Sequence, residues 1–184
     1  EVTDDEHPRP ETTLEGLAKL QPAFRKDGTI TAGNASGITD GAAALVLMAE
    51  DEAEARGLKL LARVRSYAVA AVEPQDFPVA PVPAMRRAVE KAGLTFDDMD
   101  VVEINEAFAA QMLVCMAQTG LDRNRVNIYG GAIALGHPIG MSGVRIVLTL
   151  AKALAERGGR YGLAGICGNG GHGGAMVIEN LGAH

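Results

Sequence analysis

"GICGNGGHGGAMVIEN", residues 165–180, is the stretch that decides the fold of this chain. One apolar run ends at Cys167, a glycine-rich segment follows, and a second apolar run occupies residues 173–180. Two apolar runs joined by a short glycine-rich turn are typical of a β-hairpin. We therefore predict one strand over 161–168 and a second over 173–180.

Upstream of this hairpin, apolar runs of strand length alternate with segments of helical periodicity. The predicted strands are 41–50, 60–72 and 99–104, and the predicted helices are 50–58, 84–93, 105–120 and 144–159. The first of these strands is rich in alanine, a composition that would also suit a helix. Strands that alternate with helices and end in a hairpin indicate a layered α/β domain.

The composition limits what the chain can bind. Its 17 Lys and Arg residues against 23 Asp and Glu residues give a net charge of −6. This balance argues against non-specific binding to nucleic acid or to an anionic membrane, and no apolar run is long enough to span a bilayer. The two cysteines are far apart in sequence, so we predict a cytoplasmic location or another reducing intracellular compartment.

The segment "EINEAFAAQ" (103–111) places Asn105 where a buried strand passes into a helix. The first N–H groups of a helix are unsatisfied and favour negative charge, so an amide there can hold a water or a substrate oxygen. Asn105 can equally serve as the cap of that helix. The residues alone leave both interpretations open.

The glycine-rich segment "GGAIALGHPIGMSG" (130–143) carries His137 between glycines and before a proline. Imidazole is the side chain whose ordinary pKa suits proton transfer near neutral pH. The surrounding glycines permit a ligand or another backbone to approach closely. A histidine with a hydrogen-bonded structural role is the alternative interpretation.

Cys167 and the glycines after it allow three kinds of site. A Cys–X4–His spacing could form half of a zinc site, but the other ligands are missing. The glycines resemble a phosphate loop, yet a strand follows them instead of a helix. There remains a thiol at a strand end, beside a turn whose N–H groups could stabilise an oxyanion.

Four stretches in order resemble motifs of the thiolase family, the acetyl-CoA acetyltransferases. They are "DGTITAGNASGITDGAAALVLM" (27–48), "NEAFAAQ" (105–111), "NIYGGAIALGHPIGMSG" (127–143) and "CGNGGHGGAMVIE" (167–179). The resemblance implies a layered α/β thiolase-type C-terminal domain over 31–184, with a mixed five-stranded sheet and helices on both faces. It implies acyl transfer between 3-ketoacyl-CoA and CoA, by thiolysis or by Claisen condensation.

The resemblance also assigns roles to individual residues. His137 matches the histidine that activates the nucleophilic cysteine, and Asn105 matches the asparagine that holds a water in the oxyanion hole. Cys167 matches the cysteine that moves the proton at the substrate α-carbon, and the N–H of Asn169 would serve a second oxyanion hole. Ser36 matches a serine beside the pantetheine arm of CoA.

The loop "EPQDFPVAPVPA" (73–84) carries Phe77 where most thiolases have Met-Gly. This replacement resembles the mitochondrial-type acetoacetyl-CoA thiolases, which take short and 2-methyl-branched chains. Phe77 could also be a loop aromatic packed into the core. Members of that subgroup hold a potassium ion near the CoA loop through backbone carbonyls, at positions that match Ala32, Gly33, Ala35 and Ile133; Ala35 and Phe77 would also contact CoA.

Residues 1–30 resemble the end of the segment that joins the two halves of a thiolase. The nucleophilic cysteine of the family belongs to the first half, and neither Cys115 nor Cys167 matches it. We therefore expect the chain to be inactive alone, and to work with an N-terminal half and in a homo-oligomer. The alternatives are a non-catalytic thiolase-like protein that binds CoA or lipid, and a ketoacyl synthase, which would carry a histidine at position 167.

Overall fold

The hairpin predicted from residues 161–180 forms the centre of a four-stranded sheet in the computed structural model, which describes residues 3–182. The strands are β1 (Arg63–Ala71), β2 (Val101–Ile104), β3 (Tyr161–Gly168) and β4 (His172–Glu179). Their order is β1-β4-β3-β2. β4 is antiparallel to both neighbours and β2 is parallel to β3, so the sheet is mixed, as predicted.

Six α-helices accompany the sheet in the described part of the chain. They are α1 (Leu14–Ala18), α2 (Glu50–Ala55), α3 (Pro81–Lys91), α4 (Ala109–Thr119), α5 (Ala132–Leu135) and α6 (Ser142–Arg157). Short 3-10 turns cover Pro74–Val79, Phe96–Asp98 and Arg123–Arg125. Within residues 3–182, no helix is both long and apolar enough to cross a membrane.

The core lies on both faces of the sheet, which confirms the predicted placement of helices. On one face, Met85 of α3 and Met112 of α4 pack with Leu163 of β3. On the other face, Leu150 and Leu154 of α6 pack with Val101 of β2 and with other residues of β3 and β4. Because successive residues of a strand point to opposite faces, β2, β3 and β4 contribute to both layers, whereas β1 buries Ala68 and Ala70 on the first face and exposes Tyr67 and Val69 on the other.

The sheet has four strands and not five, because residues 41–49 form neither strand nor helix. A strand needs a partner for its N–H and C=O groups, and no described residue pairs with this segment. Its apolar side chains are exposed: Val46 retains 84% of its accessible surface and Leu47 retains 75%. The alanine-rich pattern identified an apolar segment correctly. The prediction of a strand was wrong because no described strand lies beside this segment to pair with it.

Two helix boundaries differ from the prediction in ways that bear on chemistry. α4 begins at Ala109, four residues after Asn105, so Asn105 does not cap it. The first N–H of the helix, that of Ala109, donates to the carbonyl of Asn34 (2.8 Å), and the Gln111 side chain accepts from the N–H groups of Ala107 (3.1 Å) and Phe108 (3.4 Å) just before the helix. α6 begins at Ser142 instead of residue 144, which brings Ser142 into its first turn.

The hairpin approaches the start of α3 closely at Gly173. A Cβ atom there would overlap the carbonyl oxygen of Ala80, whereas a Cβ at the neighbouring Gly174 would make ordinary contact with Ile166, at 3.6 Å. The overlapped atom belongs to the backbone at the N-terminus of α3, so it cannot turn aside as a side chain would. Position 173 therefore admits only glycine without a shift of the helix.

We expect Gly173→Ala to lower the free energy of unfolding by about 1–3 kcal/mol, the usual cost of an overpacked core position. Gly174→Ala is the matched control on the same strand and should change it by less. Chemical denaturation of both variants measures the difference. Equal effects at the two positions would contradict the close approach of Gly173 to α3.

Candidate functional site

Asn105 follows the last residue of β2 and continues its pairing with β3. Its N–H donates to the carbonyl of Gly165 at 2.9 Å, and its own carbonyl accepts from Gln111 Nε2 at 3.3 Å. The residue is fully buried. With its backbone held on both sides and no helix to cap, its side chain is available for the site at the end of the sheet.

His137 lies in the loop between α5 and α6, which three neighbours hold in place. Its N–H donates to the carbonyl of Gly37 at 2.8 Å. The Glu106 carboxylate accepts from Ile133 N (3.2 Å) and from Asn127 Nδ2 (3.2 Å), so it holds α5, the helix that precedes this loop, against the segment after β2. Gly136 has φ +90°, and a Cβ there would overlap Thr39, so the residue before His137 must be glycine.

The side chains of Asn105, His137 and Ser142 form a directed chain of hydrogen bonds. Asn105 Nδ2 lies 3.2 Å from His137 Nε2, and His137 Nδ1 lies 2.6 Å from Ser142 Oγ. Ser142 Oγ donates to the carbonyl of Pro138 at 3.0 Å, so it accepts from Nδ1. Nδ1 therefore carries the imidazole proton, and Nε2 carries the lone pair, which accepts from the Asn105 amide in this structure.

The surroundings favour the neutral form of this imidazole. Burial lowers the pKa of His137, and the positive charge of Arg145 on α6 lowers it further. A lowered pKa means that the ring is uncharged at neutral pH and becomes cationic only in more acidic solution. His137 can therefore act as a base through Nε2 at neutral pH.

Cys167 lies on β3, two residues beyond the last residue paired with β2, at the same end of the sheet as Asn105. Burial raises the pKa of its thiol, so the sulfur carries a proton at neutral pH. Among the described residues, no hydrogen bond joins this thiol to His137 or Asn105. Of the three residues predicted to form the site, Asn105 and His137 are in contact in the structure. Cys167 lies on the adjacent strand.

The turn after Cys167 holds Asn169, and His172 closes this turn. The Nδ1 atom of His172 lies 3.1 Å from the carbonyl oxygen of Asn169. His172 is exposed, and it has no histidine, cysteine or acidic cluster around it within residues 3–182 that could bind a metal. The zinc interpretation of the glycine-rich turn therefore gains no support from the structure.

The segment around Ser36 lies against the connection between β2 and α4. Ser36 N donates to the carbonyl of Ala107 at 3.0 Å, and Ala35 forms an isolated bridge with Phe108. Because Gly37 also holds His137, residues 35–37 touch both the Asn105 segment and the His137 loop. The predicted CoA-contacting residues Ser36 and Ala35 are thus beside the candidate site.

Phe77 lies in the 3-10 turn Pro74–Val79 and is half-buried, so it belongs neither to the core nor to the fully exposed surface. Among the four positions predicted to face potassium, the Ile133 carbonyl lies 3.4 Å from His7 Nε2. We derive no step through potassium. The roles of Phe77, Ala32, Gly33, Ala35 and Ile133 stay predictions.

Sequence reasoning missed several residues that organise the site. Ser142 orients the imidazole, Glu106 anchors α5 ahead of the His137 loop, and Gln111 holds the backbone of Asn105. The quoted motifs contain all three. Each of them is a polar residue in a segment of otherwise small or apolar residues. Such a side chain, once buried, needs a hydrogen-bond partner, and this could have identified it from the sequence.

Two family models match the chain. One, described as the thiolase C-terminal domain, matches residues 58–180, and one described as the thiolase N-terminal domain matches residues 1–51. The apolar segment 41–49 therefore falls within the N-terminal match, and the sheet falls within the C-terminal match.

Similar proteins and structures carry related names. The chain is 54% identical over 179 residues to "Acetyl-CoA acetyltransferase" of Escherichia coli, which covers 97% of the chain and 45% of that protein. It is 53% identical over 183 residues to "3-oxoadipyl-CoA/3-oxo-5,6-dehydrosuberyl-CoA thiolase" of Escherichia coli, with 98% and 46% covered. Human mitochondrial 3-ketoacyl-CoA thiolase in complex with CoA superposes with a TM-score of 0.94 at 48% identity, with 98% and 46% covered. The chain thus spans about half the length of these relatives.

Proposed function

Because this chain belongs to the thiolase family, we propose that it supplies the acid–base half of an active site that transfers acyl groups between 3-ketoacyl-CoA and CoA. One observation carries the proposal: the directed hydrogen-bond chain from Asn105 through His137 to Ser142, which puts the imidazole lone pair on Nε2, where the nucleophilic thiol would take the place of the Asn105 amide. The protonated thiol of Cys167 at the same end of the sheet supplies the complementary acid.

We propose that the nucleophilic cysteine comes from an N-terminal thiolase region that is not among these 184 residues. Both cysteines of the chain are unsuited to the task. Cys115 is fully buried in α4 with a pKa raised to about 11, and Cys167 is the candidate acid. The exposed apolar residues of segment 38–48, including Ile38, Val46 and Leu47, support a surface on which such a region would pack.

The proposed thiolysis starts when His137 Nε2 takes the proton of the nucleophilic thiol. The thiolate attacks the 3-carbonyl carbon of the substrate, and the negative charge that develops on oxygen is stabilised by the water that Asn105 holds. When the C2–C3 bond breaks, its electron pair goes to C2, and Cys167 gives C2 its proton. Acetyl-CoA leaves and an acyl-enzyme remains.

In the second half of the cycle the Cys167 thiolate takes the proton of an incoming CoA thiol. The CoA thiolate attacks the acyl-enzyme and forms the second acyl-CoA product. The released nucleophilic thiolate recovers its proton from the His137 imidazolium, so every group returns to its starting form. Condensation is the same sequence in reverse.

The acyl chain is the finer part of the proposal. Phe77 supports short chains such as acetoacetyl-CoA, by resemblance to the mitochondrial-type subgroup. The two Escherichia coli relatives carry different names but are almost equally similar to this chain, at 54% and 53% identity. Overall sequence identity therefore favours neither acyl substrate. We further propose a homo-oligomeric assembly, as in the family.

A chimera tests the proposal. In it, this chain replaces the matching segment of the Escherichia coli acetyl-CoA acetyltransferase, which supplies the N-terminal region. We expect thiolysis of acetoacetyl-CoA that depends on added CoA, measured by the loss of the acetoacetyl-CoA absorbance. A folded chimera that binds CoA without turnover would instead favour the non-catalytic CoA-binding alternative.

A further inference from the structure

Two charged side chains beside the candidate site have no role in the chemistry proposed above. Glu103, on β2, is fully buried, and neither of its carboxylate oxygens has a hydrogen-bond partner among the described residues. Arg145, on α6, has a buried Nε that is likewise without a partner in residues 3–182. Buried charges are costly unless something compensates them, so this arrangement calls for a physical reason.

The fold directs both residues toward Asn105. Glu103 and Asn105 are two positions apart at the end of β2, so their side chains leave the same face of the sheet. Val101 identifies that face, because it packs against α6. Arg145 lies in the second turn of α6, and its Nη2 is 3.5 Å from Asn105 Oδ1.

Arg145 decides which way the Asn105 amide points. A guanidinium can only donate hydrogen bonds, so the amide atom that faces it must be the oxygen. Nδ2 then faces His137 Nε2, at 3.2 Å. The opposite orientation would bring two donors together at Arg145 and two acceptors together at His137.

Glu103 partly balances the charge of Arg145. Burial raises the pKa of the Glu103 carboxyl to about 7, Arg145 acts to lower it, and Glu106 acts to raise it. No nitrogen of Arg145 lies within 4 Å of a carboxylate oxygen of the described chain. The guanidinium is therefore not neutralised by direct pairing, and its field reaches the imidazole.

We propose that Arg145, balanced by Glu103, is a positioning residue that aims the Asn105 amide at His137 and keeps the imidazole uncharged. The inference rests on the proposed function of His137 as a base. The charged groups that face this cluster are Arg145 from α6, Glu103 from β2, and Glu106 from the connection after β2. Its test is the ionisation of His137, which requires no turnover.

The test is an NMR titration of His137 in the 184-residue chain, with ¹⁵N-labelled imidazole. Arg145→Gln removes the positive charge, so the pKa of His137 should rise toward the ordinary histidine value of about 6.5. Arg145→Lys keeps the charge, so the pKa of His137 should stay close to that of the unaltered chain. Arg157→Gln, an exposed arginine at the other end of α6, is the matched control and should leave it unchanged.

The ¹⁵N shifts report the tautomer as well. In the unaltered chain Nδ1 should carry the proton. In Arg145→Gln this preference should weaken, because the Asn105 amide is no longer oriented with its N–H toward His137 Nε2. An unchanged pKa and tautomer in a folded Arg145→Gln variant would overturn the inference. Equal changes in the glutamine and lysine variants would also overturn it, because loss of packing would then explain both.

The balancing role of Glu103 has its own test by thermal unfolding. At a pH well above 7, where Glu103 is ionised, Glu103→Gln leaves the Arg145 charge uncompensated and Arg145→Gln removes the charge that lowers the pKa of Glu103, so each should lower the melting temperature. The double variant removes both charges, so its loss of melting temperature should be smaller than the sum of the two single losses. Strictly additive losses would overturn the pairing of Glu103 with Arg145.

Discussion

His137→Gln in the chimera is expected to lower thiolysis of acetoacetyl-CoA by about 100- to 10,000-fold, the range for loss of a general base. Glutamine approximates the size of the ring and can still contact Asn105 and Ser142, but it cannot take a proton. Substrate binding should change much less, because the imidazole acts on the proton of the nucleophile. Steady-state kcat and KM measure the two effects separately.

The matched control for this variant is His172→Gln, because His172 is exposed and closes only the turn after Asn169. We expect near-normal turnover for it. In the unaltered chimera, the acid limb of the pH–rate profile should lie below the ordinary histidine pKa, since burial and Arg145 lower the pKa of His137. Activity that depends on neutral His137 is lost as the pH falls through that lowered pKa. Equal turnover in the two histidine variants would contradict the assignment of His137.

Cys167→Ala is expected to lower thiolysis by about 100- to 10,000-fold through a different step, the loss of a general acid. Without this thiol the carbanion at C2 has no proton donor, so cleavage of the C2–C3 bond stalls. Attack of the nucleophilic thiol depends on His137 and should survive. We therefore expect exchange of tritium between solvent and the methyl group of acetyl-CoA to disappear, while covalent acylation by acetyl-CoA persists, because CoA can leave as a thiolate without a proton from Cys167.

Cys115→Ala is the control for the second variant, since it removes the other thiol of the chain. Cys115 is fully buried in α4, and burial raises its pKa to about 11. The variant should lose about 1 kcal/mol of stability from the small cavity and keep its turnover. If Cys167→Ala also lost acylation, or if both cysteine variants kept full activity, Cys167 would not be the acid at C2.

The sequence predicted the hairpin, the layered α/β architecture and most helices because these depend on local periodicity and on glycine turns. It did not predict the fate of residues 41–49, because an apolar run specifies burial but not its partner. The pattern favoured a strand, and the described residues provide no neighbouring strand for it. Pairing is a property of the whole sheet and is not encoded within ten residues.

The candidate site shows the same division. Asn105 and His137 could be singled out by residue type and by the glycines around them, and the structure brings them to 3.2 Å. The choice between cap and site residue could not be made for Asn105, because it depends on α4 beginning at Ala109. Arg145 and Glu103 gave no signal, since a charge in an apolar pattern reads as an exposed position until the tertiary packing buries it.

The strand order β1-β4-β3-β2 has a consequence for how the protein is made. The two strands that come last in the sequence are the two central ones, so a ribosome releases both edges of the sheet before its middle. β2 has no neighbour within this sheet until β3 has emerged, β1 has none until β4 has emerged, and the apolar layers of α3 and α6 have no complete sheet to cover before then. Cooperative folding of this domain must therefore be a late event in synthesis, and the nascent chain is the state most exposed to aggregation.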